Sequence, residues 1–503
     1  MGAIPSSAHI RDPADPVPAP DDRPGSIRQP LTGAVEDMLF GPLEGLVVLV
    51  RTVLARPVWL AALSVLLICV PISRDLSASA NISPGDLGFA ALGAAVVPAV
   101  LNGARLPPSG LWLAMAAAVV GFGAATLTSM DLGTSVWGFV RYVEIFVVVP
   151  VALVLAVRDR RDLRLVCGAL LTAAVIQGTI GTWQYLTRTG ASFAGANVRA
   201  VGTFGAVDVM GLATVVGIGI VVALGLALVL RGGAQVALVA LAALLVVPLL
   251  LSLSRGALVA TIGATVAMLL TVAPRVTLRV APFAAAAVFV LAGTLAADAT
   301  TGVGPRVATI ASSLTDPDRS VSDRYDLWAT ATGMWGDQPL TGVGLKMFPS
   351  YRDSYAPLHL SSGSDVEDPT SGYHRQALLS PHNLYLLVVS EQGLIGALGL
   401  GGFLFGLAML TWRRTRREAG ALRLPDGRHP DGRLISAVAV GALSWTLINS
   451  LFGDIGGQGT VLMSVSIGLA LWWALHPIQH GADESGDDPN RIAVSSDSLM
   501  KKG

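Results

Sequence analysis

Residues 235–272 form a run of 38 nearly unbroken apolar positions, and this run limits the possible folds more than any other feature of the sequence. As a single helix it would be about 57 Å long, roughly twice the hydrocarbon thickness of a bilayer. The run must therefore turn, and Ser252-Leu253-Ser254-Arg255-Gly256 holds its one charged residue. Two antiparallel membrane spans are predicted, with Arg255 at their junction.

The composition excludes an ordinary soluble enzyme. Hydrophobic residues make up 52% of the chain and charged residues 14%, with a mean hydropathy of +0.63, whereas a soluble domain carries about a quarter charged residues. Basic and acidic residues balance at 34 each, so no overall field attracts nucleic acid. Cys69 and Cys167 lie in apolar stretches and fit neither a disulfide framework nor a zinc site. These features predict a polytopic membrane protein.

The pattern of apolar segments predicts an all-α fold with about 12 transmembrane helices. Polar, Pro- and Ser-rich tails at 1–34 and 478–503 are expected to be disordered, which leaves 35–477 as the membrane domain. A helix near 38–55, interrupted by Glu44 and Arg51, is expected to lie at the interface. The predicted spans lie near 57–74, 86–101, 110–129, 136–157, 163–187, 208–230, 235–252, 256–272, 278–297, 383–411, 434–453 and 459–476.

Charge asymmetry orients the predicted helices. With a cytoplasmic N-terminus, fifteen arginines fall in the inner loops, whereas the short outer loops hold only Arg74, Arg188, Arg199 and Arg255. The positive-inside rule favours this orientation, with both termini cytoplasmic in the inner membrane. The long polar segment 298–382 then lies outside the cell, between the ninth and tenth spans, and loops of this length are usually functional.

His382, in Leu379-Ser380-Pro381-His382-Asn383, is the candidate general base. Ser380 is expected to cap the tenth helix and Pro381 to occupy its first position. The positive end of the helix would then disfavour the imidazolium, leaving the neutral ring that a base requires. An interfacial histidine that only hydrogen-bonds the loop is the alternative.

The helix after His382 carries two glycines and one acid. Gly393 and Gly396 share a face with Tyr385, which indicates close approach of another helix. Glu391 is expected to be buried, in either a paired functional role or a structural one.

Three outer arginines are candidate ligands of an anionic substrate. A guanidinium at the position of Arg255 has bidentate geometry for phosphate, although an arginine that snorkels to lipid headgroups would look the same. Arg324 opens a predicted loop helix, Ser322 to Trp335, and the alternative there is a surface salt bridge with Asp323 or Asp326. Arg199 is the third. Arg141 and Glu144 have the spacing of a helical ion pair.

Five sequence blocks resemble O-antigen ligases and related Wzy-type polymerases. His382-Asn383, nine residues, then Gly393-Leu394-Ile395-Gly396 is similar to the family's His-Asn-x9-Gly-x-x-Gly signature. Upstream come the other similar blocks, in the family's order: Arg199 through Phe204, Ser254-Arg255-Gly256, Arg324 through Trp328, and Pro339-Leu340-Thr341-Gly342-Val343-Gly344. The resemblance covers about 130–475. It departs at Lys346, where a small residue is expected, and at 358–377, which looks like an insertion.

The resemblance implies a metal-independent, inverting glycosyltransferase of the GT-C type without a cofactor. Its donor would be an undecaprenyl-diphosphate-linked glycan, and its acceptor a glycan or lipid-linked molecule. By the same resemblance, Arg255 and Arg324 match arginines that hold the diphosphate, and His382 matches the residue that takes the acceptor's proton. Ligase and polymerase both remain open.

Two other classes of protein compete with this interpretation. A transporter or lipid-linked glycan flippase would place ionisable groups near the midplane on broken helices, whereas here they are predicted at the outer rim. A non-catalytic scaffold gives no reason for Arg255 or His382 at their positions.

Overall fold

The computed structural model describes residues 56–71, 83–193, 198–205, 208–274, 277, 319–360, 363–368, 372–421, 430–457 and 459–475. The predicted tails, the interfacial segment near 38–55, the ninth span near 278–297 and the first part of the long loop lie outside these residues.

The described residues are predominantly helical. A π-helical segment, Glu144–Val148, joins the helix that ends at Val143 to the helix that begins at Val149. A short 3-10 helix covers Gly202–Phe204. The α-helices are α1 (Val58–Leu67), α2 (Pro84–Leu101), α3 (Leu111–Leu127), α4 (Leu132–Val143), α5 (Val149–Ala156), α6 (Arg160–Thr187), α7 (Val209–Ala227), α8 (Gly233–Leu251), α9 (Arg255–Val272), α10 (Arg319–Asp337), α11 (Phe348–Tyr355), α12 (Leu384–Ala421), α13 (Pro430–Asn449) and α14 (Thr460–Leu475).

Within the described residues, seven helical segments are long and apolar enough to cross a membrane: α2, the continuous α4–α5 segment, α6, α7, α8, α9 and α12. Four shorter apolar helices, α1, α3, α13 and α14, occupy further positions where spans are predicted. The protein is therefore a multi-pass membrane protein, while the count of twelve stays a prediction.

The predicted turn inside the apolar run is present. Helix α8 ends at Leu251 and α9 begins at Arg255. Leu253 has a φ of 57°, and the Ser254 side chain accepts a hydrogen bond from the backbone N–H of Ala257. A left-handed residue followed by a capping serine ends one helix and starts the next within three residues.

The all-α expectation needs a correction, because the structure contains a small antiparallel sheet. Strands β2 (Gly363–Asp368) and β3 (Gly372–Ala377) form a hairpin within the insertion at 358–377. Strand β1 (Ser192–Phe193), which follows α6, pairs with β2. These strands are short and polar, so they lack the apolar alternation by which a sequence reveals a strand.

Helix α10 packs on the helices beneath it through one face. Leu327, Ala331 and Met334 are buried with Phe348 of α11 and Leu387 of α12. Tyr325 and Trp335 of the same helix are half-exposed. The helix begins at Arg319, ahead of the predicted start at Ser322, and ends at Asp337, just beyond the predicted end at Trp335.

The predicted ion pair in the fourth span is observed with an additional partner. Arg141 contacts Glu144 at 2.9 Å and Asp86 at 2.7 Å. Asp86 also accepts a hydrogen bond from the Ser83 backbone N–H in a capping box at the start of α2. This group joins α2 to the π-helical segment, which indicates a structural role.

Candidate active site

His382 lies one residue ahead of the cap of α12. The helix begins at Leu384, and the Asn383 side chain caps it by accepting a hydrogen bond from the Leu386 backbone N–H at 3.1 Å. Ser380 is therefore not the cap, and the prediction that His382 occupies the first helical turn is wrong. Asn383 prevails because it is the last capping residue before the unbroken apolar run.

The His382 backbone is strained. Its φ of 49° lies in the left-handed region, which residues other than glycine rarely adopt, although asparagine, aspartate and histidine do so more often than the rest. Such conformations persist only where the surroundings enforce them, and they concentrate at functional sites.

Two charged residues act on the His382 ring. Burial lowers the pKa of His382 below its usual 6.5; Asp454 opposes this by raising the pKa, and Arg324 lowers it. The lowered pKa keeps the imidazole neutral near neutral pH, which is the form a general base needs. The expected protonation state is thus present, but burial and Arg324 account for it rather than the end of a helix.

A turn at 450–454 gathers these residues. Its backbone carbonyls at Ser450 and Gly453 both accept from the Leu384 N–H, at 2.9 and 3.1 Å. Its Phe452 carbonyl accepts from Arg324 Nη1 at 3.2 Å. The turn therefore joins the start of α12 to helix α10, and its last residue is Asp454.

Arg324 and His382 are also linked through Trp328. The Trp328 indole N–H donates to the Pro381 carbonyl at 2.9 Å. One turn of α10 therefore carries both a guanidinium at the 450–454 turn and an indole against the residue before His382. The sequence prediction that Arg324 belongs to the site of His382 agrees with this geometry.

Arg255 approaches the same turn from α9. A Cβ added to Gly256 would overlap the Phe452 side chain, so α9 begins directly against the 450–454 turn. Only glycine permits this approach, which gives the Ser-Arg-Gly block a physical reason. The backbone of Arg255 therefore lies next to the 450–454 turn, which Arg324 also contacts.

The segment that contains Arg199 contacts the end of α8, next to the turn that leads into Arg255. Its backbone pairs with Ala191 through two hydrogen bonds of 3.1 and 2.7 Å. The next residue, Ala200, donates from its N–H to the Leu251 carbonyl at the end of α8. The segment of Arg199 thus abuts the turn that leads into Arg255, and β1 joins this segment to the hairpin of the long loop.

The Gly-x-x-Gly block forms a second irregular region, which we call the socket: Gly393 with the 339–344 segment. Helix α12 is broken at Gly393, with φ 60° and ψ −158°. The Leu394 and Ile395 N–H groups donate to the carbonyls of Pro339 and Leu340, at 2.8 and 3.1 Å. The break is therefore filled by the Pro-Leu-Thr-Gly-Val-Gly block.

Glycine roles predicted from the sequence are partly different in the structure. Gly396 does allow close helix approach, because a Cβ on Gly121 of α3 would overlap its backbone. Gly393 instead breaks the helix, and a Cβ there would overlap the Leu340 backbone. The shared face through Tyr385 therefore does not continue past Gly393.

Glu391 is buried beside the socket and is 2% exposed. Its Oε1 accepts from the Phe348 N–H at 2.9 Å, at the start of α11. The N–H groups of Lys346 and Met347 also hydrogen-bond this carboxylate. Its backbone carbonyl accepts from Gly344. Of the two roles open from the sequence, these contacts favour the structural one.

Sequence reasoning missed Asp454. One carboxylate oxygen of Asp454, Oδ2, is buried with no hydrogen-bond partner among the described residues. Buried Tyr142 of α4 interacts electrostatically with both Asp454 and Glu391. The available signal was topological, because the short connection between the last two predicted spans faces the same side as His382.

No group of three or more His, Cys, Asp or Glu side chains within the described residues has the arrangement of a metal site. In the described part of the long loop, the His359 Nε2 contacts Asp326 Oδ2 at 3.0 Å.

Residues 240–401 match the family model described as O-antigen ligase. The resemblance is confirmed over these residues, which make up about a third of the chain and include Arg255, Arg324, His382 and both glycines of the signature. Arg199 and Asp454 lie outside the matched segment. No curated protein gives a significant match. The match and the apolar helices together support a membrane enzyme that processes glycans.

Proposed function

We propose that this protein is an integral-membrane glycosyltransferase that transfers or polymerises undecaprenyl-diphosphate-linked oligosaccharide. The observation that carries the proposal is the His382 site: a left-handed, half-buried histidine with lowered pKa that interacts with both an arginine and a carboxylate. The match to the O-antigen ligase model supports a lipid-linked glycan as the substrate class.

In the proposed reaction, His382 is the general base. It takes the proton from an acceptor hydroxyl as the oxygen attacks the anomeric carbon of the donor sugar. The new glycosidic bond forms while the bond between that carbon and the diphosphate oxygen breaks. Undecaprenyl diphosphate leaves, and a single displacement inverts the anomeric configuration.

The arginines are proposed to bind the diphosphate. Negative charge grows on the leaving group, and preorganised guanidinium groups stabilise it most where water is excluded. Arg324 contacts the 450–454 turn, and Gly256, the residue after Arg255, packs against Phe452 of the same turn, which supports this role. Arg199 is proposed as a third diphosphate ligand. Asn383, Gly393, Gly396 and Glu391 are proposed as supporting residues.

Asp454 is proposed to stabilise His382 after proton transfer. Its carboxylate raises the pKa of His382, so it favours the imidazolium that forms during the reaction. Arg324 disfavours the imidazolium before the reaction. Arg324 thus favours the neutral His382 ring in the ground state, and Asp454 stabilises the charged ring in the transition state.

The reaction is proposed to occur at the extracytoplasmic face of the inner membrane, with both termini cytoplasmic. The positive-inside distribution of arginines supports this orientation. At that face no nucleotide is at hand, and cleavage of the lipid-linked diphosphate supplies the driving force. The family resemblance implies that the reaction needs neither metal nor cofactor.

The test is a reconstituted assay in EDTA with purified undecaprenyl-diphosphate oligosaccharide. Wild type is compared with His382→Ala and Arg255→Ala, and with the matched controls His359→Ala in the loop and Arg231→Ala, an exposed arginine just before α8. Release of undecaprenyl diphosphate with glycan elongation, lost only in the two site variants, is expected for a polymerase. Release that requires a second acceptor identifies a ligase.

A lipid-linked glycan flippase is the second candidate, and the break in α12 is the observation that favours it. Discontinuous helices with a nearby acid are common in transporters, and Gly393 lies two residues from Glu391. The socket, however, is filled by backbone that hydrogen-bonds the break. Movement of glycolipid between leaflets without diphosphate release would favour the flippase and contradict the transferase.

A further inference from the structure

Tyr325 and Trp328 form an aromatic pair next to the proposed base. Their ring centroids lie 5.5 Å apart in an edge-to-face arrangement, with an interplanar angle of 77°. The Trp328 N–H is engaged by the Pro381 carbonyl at 2.9 Å, which fixes the indole against the residue before His382. An edge-to-face pair leaves the faces of one of its rings uncovered by the other.

The pair lies on the side of α10 that the core does not bury. Leu327, Ala331 and Met334 of the same helix are each at most 1% exposed, whereas Tyr325 is 49% exposed. Helix α10 therefore exposes a large aromatic side chain within one helical turn of the proposed catalytic centre.

The surroundings of Tyr325 are polar rather than lipid-like. Arg324 precedes it, and Asp326 follows it in contact with His359 at 3.0 Å. Charged side chains are costly against hydrocarbon, so this surface suits a ligand that combines apolar patches with hydroxyl groups. A sugar ring has that character, with C–H groups on one face and hydroxyls around the rim.

We propose that Tyr325 and Trp328 form the acceptor subsite, on which a sugar ring of the acceptor glycan stacks beside His382. The inference rests on the proposed function, because the acceptor hydroxyl must come within about 3 Å of the base. Arg324, on the same turn of α10, then binds the donor diphosphate. Helix α10 thus supplies residues to both the donor and the acceptor positions.

Acceptor kinetics in the reconstituted assay test the subsite. Tyr325→Ala is expected to raise the acceptor KM roughly tenfold, with the donor KM unchanged and kcat within about twofold. Tyr325→Phe, which keeps the ring, is expected to recover most of the lost affinity. Trp335→Ala is the matched control, because Trp335 lies on the same helix, is 39% exposed and bonds Pro339 instead.

Any other pattern overturns the subsite. A loss in kcat alone would indicate that Tyr325 only positions α10. Equal rises in both KM values, or the same effect in Trp335→Ala, would indicate a general role of exposed aromatic residues at the membrane surface. An unchanged acceptor KM in Tyr325→Ala would remove the subsite while leaving the transferase intact.

A binding experiment separates failure of the subsite from failure of the proposed function. The free oligosaccharide, released from the lipid-linked donor by mild acid, is titrated calorimetrically into His382→Ala protein with and without Tyr325→Ala. Binding that Tyr325→Ala weakens supports the subsite even if wild type transfers no sugar. Absence of binding to His382→Ala, or binding that Tyr325→Ala leaves unchanged, contradicts it.

Discussion

His382 and Gly393 are both left-handed residues near the start of α12, yet their surroundings differ in kind. At Gly393 the freed N–H groups of Leu394 and Ile395 are all bonded to the 339–344 segment, and the nearby acid, Glu391, is bound to backbone donors. At His382 the residue is not glycine, and the nearby acid, Asp454, has a buried oxygen with no partner among the described residues.

The irregularity at Gly393 serves stability, whereas the one at His382 is placed for chemistry. Buried polar groups are normally satisfied, and an unsatisfied one needs an explanation. The socket bonds the backbone N–H groups that the break at Gly393 frees, and glycine is the residue best suited to the positive φ, so the socket holds the long loop on α12. The His382 site retains strain and unpaired polarity where a substrate would bind, as functional sites often do.

The largest effect on stability is expected for Gly393→Ala. Alanine at φ 60° and ψ −158° is strained, and its Cβ would overlap the Leu340 backbone. The two effects together should cost about 3 kcal/mol or more. Thermal unfolding in detergent checks this prediction. Gly401→Ala, on the same helix with open space around the added Cβ, is the control and should be neutral or slightly stabilising.

Glu391→Gln should cost about 2 kcal/mol of folding stability. The substitution keeps the shape but replaces one acceptor oxygen with an NH2 group, which cannot accept from the N–H groups of 346–348, and a buried donor left without its partner costs about 1–3 kcal/mol. Glu418→Gln, near the other end of α12, should change the stability by less than about 0.5 kcal/mol. Equal stability of the two variants in denaturant titration would contradict the structural role of Glu391.

Asp454→Asn and Arg324→Gln should move the pH profile in opposite directions. Asp454 raises and Arg324 lowers the pKa of His382, so loss of Asp454 shifts the acid limb of kcat/KM to lower pH. Loss of Arg324 shifts that limb to higher pH. Asp454→Asn should also slow transfer, because the imidazolium that forms on proton transfer loses its neighbouring carboxylate. Parallel shifts would show that neither residue acts through His382.

The same lowered pKa links stability to pH. His382 is more readily protonated in the unfolded chain, whose histidine pKa is near 6.5, than in the folded protein. The folded state therefore loses stability as the pH falls through about 6.5 towards the folded pKa. Replacing His382 with alanine should remove this part of the acid destabilisation.

The smallest effect is expected for Lys346→Gly, which should stabilise the protein by about 1 kcal/mol. Lys346 is exposed and has a φ of 60°, a conformation that costs about 1–2 kcal/mol for residues other than glycine. Lys346→Ala keeps the strain and serves as the control. A melting temperature that rises equally in both variants would exclude backbone strain as the cause.

The sequence predicted those features that depend on local composition. Apolar length located eleven helices, the excess length of 235–272 required the turn before Arg255, and the ordered motifs placed Arg324 with His382. Features that depend on distant partners were not predictable. Nothing near Gly393 in the chain shows that 339–344 fills its break, and Asp454 gains significance only through the fold.

The cap of α12 shows a finer limit. Ser380-Pro381 has the composition of a helix start, and so does Asn383, so local preference alone could not choose between them. The choice follows from the contacts of the Leu384 N–H with the 450–454 turn and of Trp328 with Pro381, which hold His382 outside the helix.

The role of His382 is best measured by the turnover of undecaprenyl-diphosphate oligosaccharide by His382→Gly, recorded with its melting temperature. Glycine relieves the strain at φ 49° and removes the base. We expect a melting temperature equal to or above that of wild type, together with a loss of transfer of roughly 100-fold or more. A variant that stays active, or one that becomes inactive only because it unfolds, would contradict the assignment of His382 as the catalytic residue.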